Sequence, residues 1–211
     1  MITVSTSKIA ARNYHHGDLR TALIEAGLAA LEGADADAVS LRELARKVGV
    51  SATAVYRHFP DKKALLAALA AEGIARLGTA QRIASEQAGG GGAGFAATGQ
   101  AYVRFALDNP ALFRLAFTHG DHGVGNKADG DQGGGAMIAN DEAWRMLRAY
   151  AESFAGADAQ RLQLQAWAVA HGLAMLMLDG LIPAEDQLIK SVIDQQTLFP
   201  AGPGSSSDES P

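Results

Sequence analysis

The sequence predicts an all-α fold: a three-helix N-terminal domain followed by a helical bundle, about nine helices in all. Three observations carry this. Apolar residues recur at helical spacing along most of the chain. Runs of β-branched residues are scarce, while Ala and Leu dominate and aromatics make up only 6%. Two Gly-rich runs and Asn109-Pro110 break the later periodic stretches apart.

The elements follow in order. Asp18 is placed to cap a helix over about 19–32, with Leu19, Leu23, Ala26, Ala30 and Leu31 on one face. The acidic stretch 33–38 ends it. Ser40-Leu-Arg-Glu43 reads as a capping box opening a helix that runs to Val48. Gly49 then supplies the left-handed stop. Ser51 caps a helix ending near Phe59, and Asp61 caps a long one over about 62–86. Two glycine-rich breaks follow: 88–94 has five glycines and 119–135 has seven. Between them the pattern predicts helices over 95–108 and 110–118, split by Asn109-Pro110. Later helices are predicted over 137–155, 158–181 and 184–198. The tail 201–211, rich in Ser, Pro and Gly, is expected to be disordered. This divides the chain into 1–61, 62–200 and the tail.

Composition removes several functional classes. The 211 residues include no cysteine, which excludes a disulfide scaffold, a thiolate metal site and a cysteine nucleophile. The apolar fraction is 48%, in the globular range. The first residues have no apolar signal core, and the stretch Leu162–Leu178 carries Gln163, Gln165 and His171, so a buried helix suits it better than a membrane span. A cytoplasmic location is the expectation. The net charge of -5 is unevenly spread. Residues 1–70 hold nine Lys/Arg against seven Asp/Glu, leaving nine against sixteen for the remainder. A basic end on an acidic chain suggests an acidic partner there.

The segment Leu41–Phe59 has the logic of two short helices crossing at close range. Ala45 is the small residue the crossing needs, Gly49 makes the turn, and Val55 anchors the second helix. Arg42, Arg46, Lys47, Thr53, Arg57 and His58 are left for the outside. A helix of this size fits the major groove of B-DNA, and its N-terminus, at Ser51, favours a phosphate. Ala52 and Thr53 are placed to reach base edges, Tyr56 suits a phosphate contact, Arg42 a guanine or a phosphate, and Lys62 the backbone beyond.

The segment YHHGDLRTALIEAGLAALEG…VSLRELARKVGVSATAVYRHFPDKKALLAALA, over residues 14 to about 70, resembles the DNA-binding domain of TetR-family transcriptional regulators. AVYRHFPDKKALL and SLRELARKVGV are its family-specific phrases. The resemblance puts Arg42, Ala52, Thr53, Tyr56, His58 and Lys62 on DNA-contacting positions. Ala52 and Ala54 depart from it, being short where many relatives are polar, which shifts weight to shape and phosphate contacts. The arm with Lys8, Arg12, His15 and His16 is either a further DNA contact or a frayed terminus. Trp167, His171 and Gly172 resemble the Trp-His-Gly subgroup of C-terminal domains in that family.

The second domain offers no convincing catalytic set. His119, Asp121 and His122 share the glycine-rich loop, where a metal-dependent enzyme remains the minor alternative to a solvated connection. No cofactor is expected. The 158–181 helix is apolar all round, so one side is assigned to the core and the other to a second subunit. Leu173, Met177, Leu188 and Val192 are the candidate dimer contacts, and Gly172 the place of a close helix approach. Phe105, Phe117, Trp144, Trp167, His171 and Met175 are candidates for lining a ligand pocket. The reading is a homodimeric repressor of a pseudo-palindromic operator, released by a small apolar effector; a regulator without a ligand is the alternative.

Overall fold

A computed structural model describes residues 19–118 and 142–194 of the chain, and these contain helices and no strand. The order is α1 (Leu19–Leu31), a 3-10 turn (Ala36–Ala38), α2 (Leu41–Val48), α3 (Ala52–Tyr56), α4 (Lys62–Gln87), α5 (Gly91–Asp108) and α6 (Pro110–Thr118). Then come α7 (Glu142–Ala155), a second 3-10 turn (Gly156–Asp158), α8 (Ala159–Leu178) and α9 (Asp186–Val192). The N-terminal arm, the 119–135 loop with His119, Asp121 and His122, and the tail all lie outside the described residues.

Side-chain caps explain two of the helix starts. The Ser51 side chain accepts from Ala54 N at 3.2 Å, and Asp61 Oδ1 accepts from Ala64 N at 2.7 Å, each satisfying a donor that the first helical turn leaves open. Ser40 departs from expectation. It occupies the N-cap of α2, but its side chain makes no capping bond, and Glu43 pairs with Arg46 at 3.6 Å instead. The capping box is therefore present in sequence and not formed. Helix α5 starts at Gly91 rather than near 95, because the chain reverses after α4 within residues 88–90, with Gly89 and Gly90 at φ 80° and 73°.

Two buried clusters divide the molecule. The first gathers Leu23, Leu28 and Leu31 of α1, Leu41, Leu44 and Ala45 of α2, Val55 and Phe59, and Leu65, Leu66 and Leu69 of α4. Leu112 and Leu115 of α6 close it from below. The second gathers Leu77 of α4, Tyr102, Val103 and Ala106 of α5, Phe113 of α6, and Ala170, Leu173, Ala174 and Met177 of α8, with Ile189 and Ile193. Helix α4 runs through both, and α6 gives one face to each. Gly73 permits the α4–α6 approach: a Cβ there would lie 2.9 Å from Leu112 Cδ1. From the middle of α6, Arg114 reaches the C-terminus of α8, 2.6 Å from Asp179 Oδ1 and 3.4 Å from the Leu178 carbonyl, where a cation complements the helix dipole.

Candidate nucleic-acid interface

The turn between α2 and α3 is built on Gly49. At φ 80° its amide donates to the Ala45 and Arg46 carbonyls at 2.9 and 3.3 Å, and Val50 N donates to Ala45 O at 2.9 Å. These bonds satisfy the last carbonyls of α2 and turn the chain sharply. Ala45, 4% exposed, lets the helices cross, and Val55, 1% exposed, pins α3 to the shared core. The rest of α3 faces outward, apart from half-buried Ala54. Ser51, Ala52, Thr53, Tyr56 and His58 are exposed, as are Arg42, Arg46, Lys47 and Arg57 around them. The helix proper stops at Tyr56, shorter than the predicted 51–59. The amides of His58 and Phe59 still bond the Val55 carbonyl, and Phe59 folds back into the core.

Lys62 differs from its neighbours. It is half-buried, and its Nζ donates to the Asp37 carbonyl at 2.6 Å, tying the start of α4 to the linker between α1 and α2. A contact with a phosphate requires it to leave that carbonyl or to share its remaining donors.

In the bundle, four of the six pocket candidates converge as a packed aromatic cluster. His171 has the rings of Tyr102, Phe113, Phe117 and Trp167 at centroid distances of 5.2–6.2 Å, and Trp144 meets Trp167 edge-on at 5.7 Å. Tyr102 Oη lies 2.8 Å from His171 Nδ1. Phe105 and Met175 pack at the edges of the buried clusters. Beside this cluster a cavity of about 30 Å³ opens between α4, α5, α7 and α8, lined in part by Gln81, Phe95, Thr98, Leu147 and Trp167. Sequence reasoning missed Gln81. The available signal was polar Gln81 and Ser85 falling in register with the buried Ile74 and Leu77 of α4; Ser85 is answered by a hydrogen bond to the Tyr150 hydroxyl.

Burial lowers the pKa of His171 below its ordinary 6.5, which favours a neutral ring whose Nδ1 accepts from the Tyr102 hydroxyl. The unfolded chain therefore binds a proton that the folded chain refuses. Stability is complete above pH 6.5 and falls as the pH drops through that value, until the folded form is protonated as well. The melting temperature should fall between pH 7 and pH 5 more steeply in the wild type than in His171→Gln. Parallel curves for the two proteins would contradict this account.

Two of the four expected subunit contacts need correction. Leu173 and Met177 are 6% and 5% exposed and belong to the protomer's own core, so neither can meet a second chain without unpacking. Leu188 and Val192 also pack, partly buried, against that core. The side of α8 turned outward carries Leu164, Gln165, Ala168, Val169 and Leu176. Gly172 lies on that side too, and a methyl group there meets nothing within 4 Å among the described residues, so none of the described helices of the same chain explains it.

A short helix held by one inner residue, set behind a glycine turn and exposing polar and basic groups, defines a helix-turn-helix DNA-binding regulator. Comparison with known proteins agrees. Residues 23–69 match the family described as bacterial regulatory proteins, tetR family, and residues 95–196 match the tetracyclin repressor-like C-terminal domain. A solved structure from Rhodococcus sp. RHA1, described as a protein with unknown function, is 33% identical, with a TM-score of 0.71 over 89% of this chain and 96% of that one. A tetR-family transcriptional regulator from Streptomyces coelicolor is 22% identical, with a TM-score of 0.61 over 88% of this chain and 82% of that one, and shares the fold. The chain belongs to the tetR family of transcriptional regulators.

Proposed function

We propose that the protein is a cytoplasmic, homodimeric repressor that binds a pseudo-palindromic operator and releases it when a small, mainly apolar effector binds. It acts by binding and not by catalysis. The observation that carries the reading is the exposed outer face of α3, with Thr53, Tyr56 and His58 beside Arg42, on a helix sized for the major groove. Two modules facing the same side of a dimer would meet successive grooves. The outward stripe of α8 supports dimerisation. Leu164, Ala168, Gly172 and Leu176 follow one another at four-residue steps, and the small residues in the middle suit a close helix-to-helix contact. Trp167, His171 and Gly172 support placing the C-terminal half in the Trp-His-Gly subgroup. Helix α4 is the natural lever, since it starts beside α3 and runs into the bundle.

Selection of duplexes from a random library, followed by titration at several salt concentrations, tests the reading. A two-fold symmetric site should emerge, and affinity should fall steeply with salt. Tyr56→Ala should weaken binding evenly across operator variants. Arg42→Ala should relax one base position by roughly 1–3 kcal/mol if it reads a base. Lys62→Ala should flatten the salt slope by about one ion. Unchanged affinity in all three variants would remove α3 and its surroundings from the interface.

A further inference from the structure

Gln81 lies on the buried side of α4 and is 8% exposed. Its Nε2 donates to the Thr98 carbonyl at 3.1 Å. That bond fixes the orientation of the amide, because exchanging its oxygen and nitrogen would set two acceptors against each other. Oε1 is the end left over, and among the described residues it has no hydrogen-bond partner. Gln81 also lines the cavity between α4, α5, α7 and α8, whose walls include Phe95, Leu147, Trp167 and Ile193. A buried amide oxygen without a donor is unfavourable and rare in native proteins, whereas a leucine or methionine here would carry no such penalty.

We propose that this cavity takes a small, mainly apolar ligand bearing one N–H or O–H donor, which Gln81 Oε1 accepts. The proposal rests on the effector reading above and gives the effector a chemical class. Apolar walls with one placed polar group are the usual make-up of such a site. Size sets a second condition. At about 30 Å³ the cavity has room for a water molecule. A benzene-sized guest needs about 150 Å³. Ile193 is the wall that would have to give way. Its Cγ2 would lie 2.7 Å from a Cβ on Gly99, so it is pressed onto bare backbone, and it sits just past the end of α9. Its withdrawal breaks the 2.8 Å bond from Gln100 Nε2 to its carbonyl and frees the space beside Gly99. Gln81 is nineteen residues along α4 from Lys62, about 28 Å at the helical rise, so a ligand held by Gln81 acts on the helix that begins beside α3.

Indole and benzothiophene test this. They have nearly the same shape, and only indole has an N–H donor. Calorimetric titration of the full chain should show indole binding about tenfold more tightly than benzothiophene. Gln81→Met conserves volume and removes the acceptor, so the preference should disappear while helicity stays unchanged. Ile193→Ala should tighten binding of both probes and keep the preference. Equal binding of the two probes by the wild type, or a preference that survives Gln81→Met, overturns the proposal. So does failure of both probes to bind the wild type and Ile193→Ala. Operator binding by the probe-free protein is measured on the same samples. If it is intact while indole fails, the ligand proposal alone falls; if it is missing, the DNA-binding reading falls separately.

Discussion

Phe59→Ala is expected to abolish specific DNA binding while leaving the helical bundle folded. Phe59 is 2% exposed and sits where the chain leaves α3 for α4, with the Arg20 guanidinium 5.4 Å from its ring centroid. Truncating a buried phenylalanine costs roughly 3–5 kcal/mol, a large share of a small domain's stability. The loss falls on the weakest element. Helix α3 has five residues and cannot persist on its own hydrogen bonds. Val55 and Phe59 are what hold its inner side, and a loosened α3 no longer presents Thr53 and Tyr56 in a fixed register. The second cluster, centred on Tyr102, Phe113 and Leu173, contains none of these residues. Hydrogen exchange should therefore rise in α1–α3 and stay slow in α5 and α8. Retained operator affinity, or exchange rising equally everywhere, would contradict the division into two cores.

Leu176→Glu and Leu173→Glu should fail in opposite ways although they lie three residues apart on α8. Leu176 is 43% exposed, so a carboxylate is tolerated by the isolated protomer and excluded only from a packed subunit contact. Leu176→Glu should yield a folded monomer, and losing the second module should lower operator affinity by roughly 10²–10⁴-fold. Leu173 is 6% exposed inside the second cluster. A carboxylate there must be desolvated without a partner, which costs several kcal/mol, so Leu173→Glu should unfold the bundle. Light scattering together with circular dichroism separates the outcomes. A Leu176→Glu variant that stays dimeric at micromolar concentration would move the interface away from this stripe of α8.

Local chemistry was the most legible part of the sequence. Gly49, Ser51 and Asp61 each do what their residue types suggest, because a left-handed turn or a cap is decided within four residues of chain. Ser40 and Glu43 show the limit of the same reasoning: Arg46 competes for the glutamate, and the box stays open. The all-α class followed from periodicity for the same reason that the direction of α8 did not. A helix apolar all round announces that both sides are buried and conceals which side meets its own chain. Only the packing of α5 against α8 turns Leu173 and Met177 inward and leaves Leu164 and Leu176 outside. Gln81 was harder to read: its register with Ile74, Leu77 and Ser85 marks it as buried, but that its oxygen is left over becomes visible only once its surroundings are known.

The closure of the first cluster by α6 bears on how such a molecule can be recombined. Leu112 and Leu115 lie almost sixty residues beyond α3, yet they form the floor on which α1 and α4 rest. A chimaera joined at Pro60, with the helix-turn-helix of this chain grafted onto a foreign bundle, would inherit a lidless box. Its designer would have to carry over the small residue at Gly73 together with the leucines of α6, or find a host that already offers them. Swapping DNA specificity by exchanging the outward residues of α3 alone leaves that floor untouched, and so is the more conservative route to a new operator.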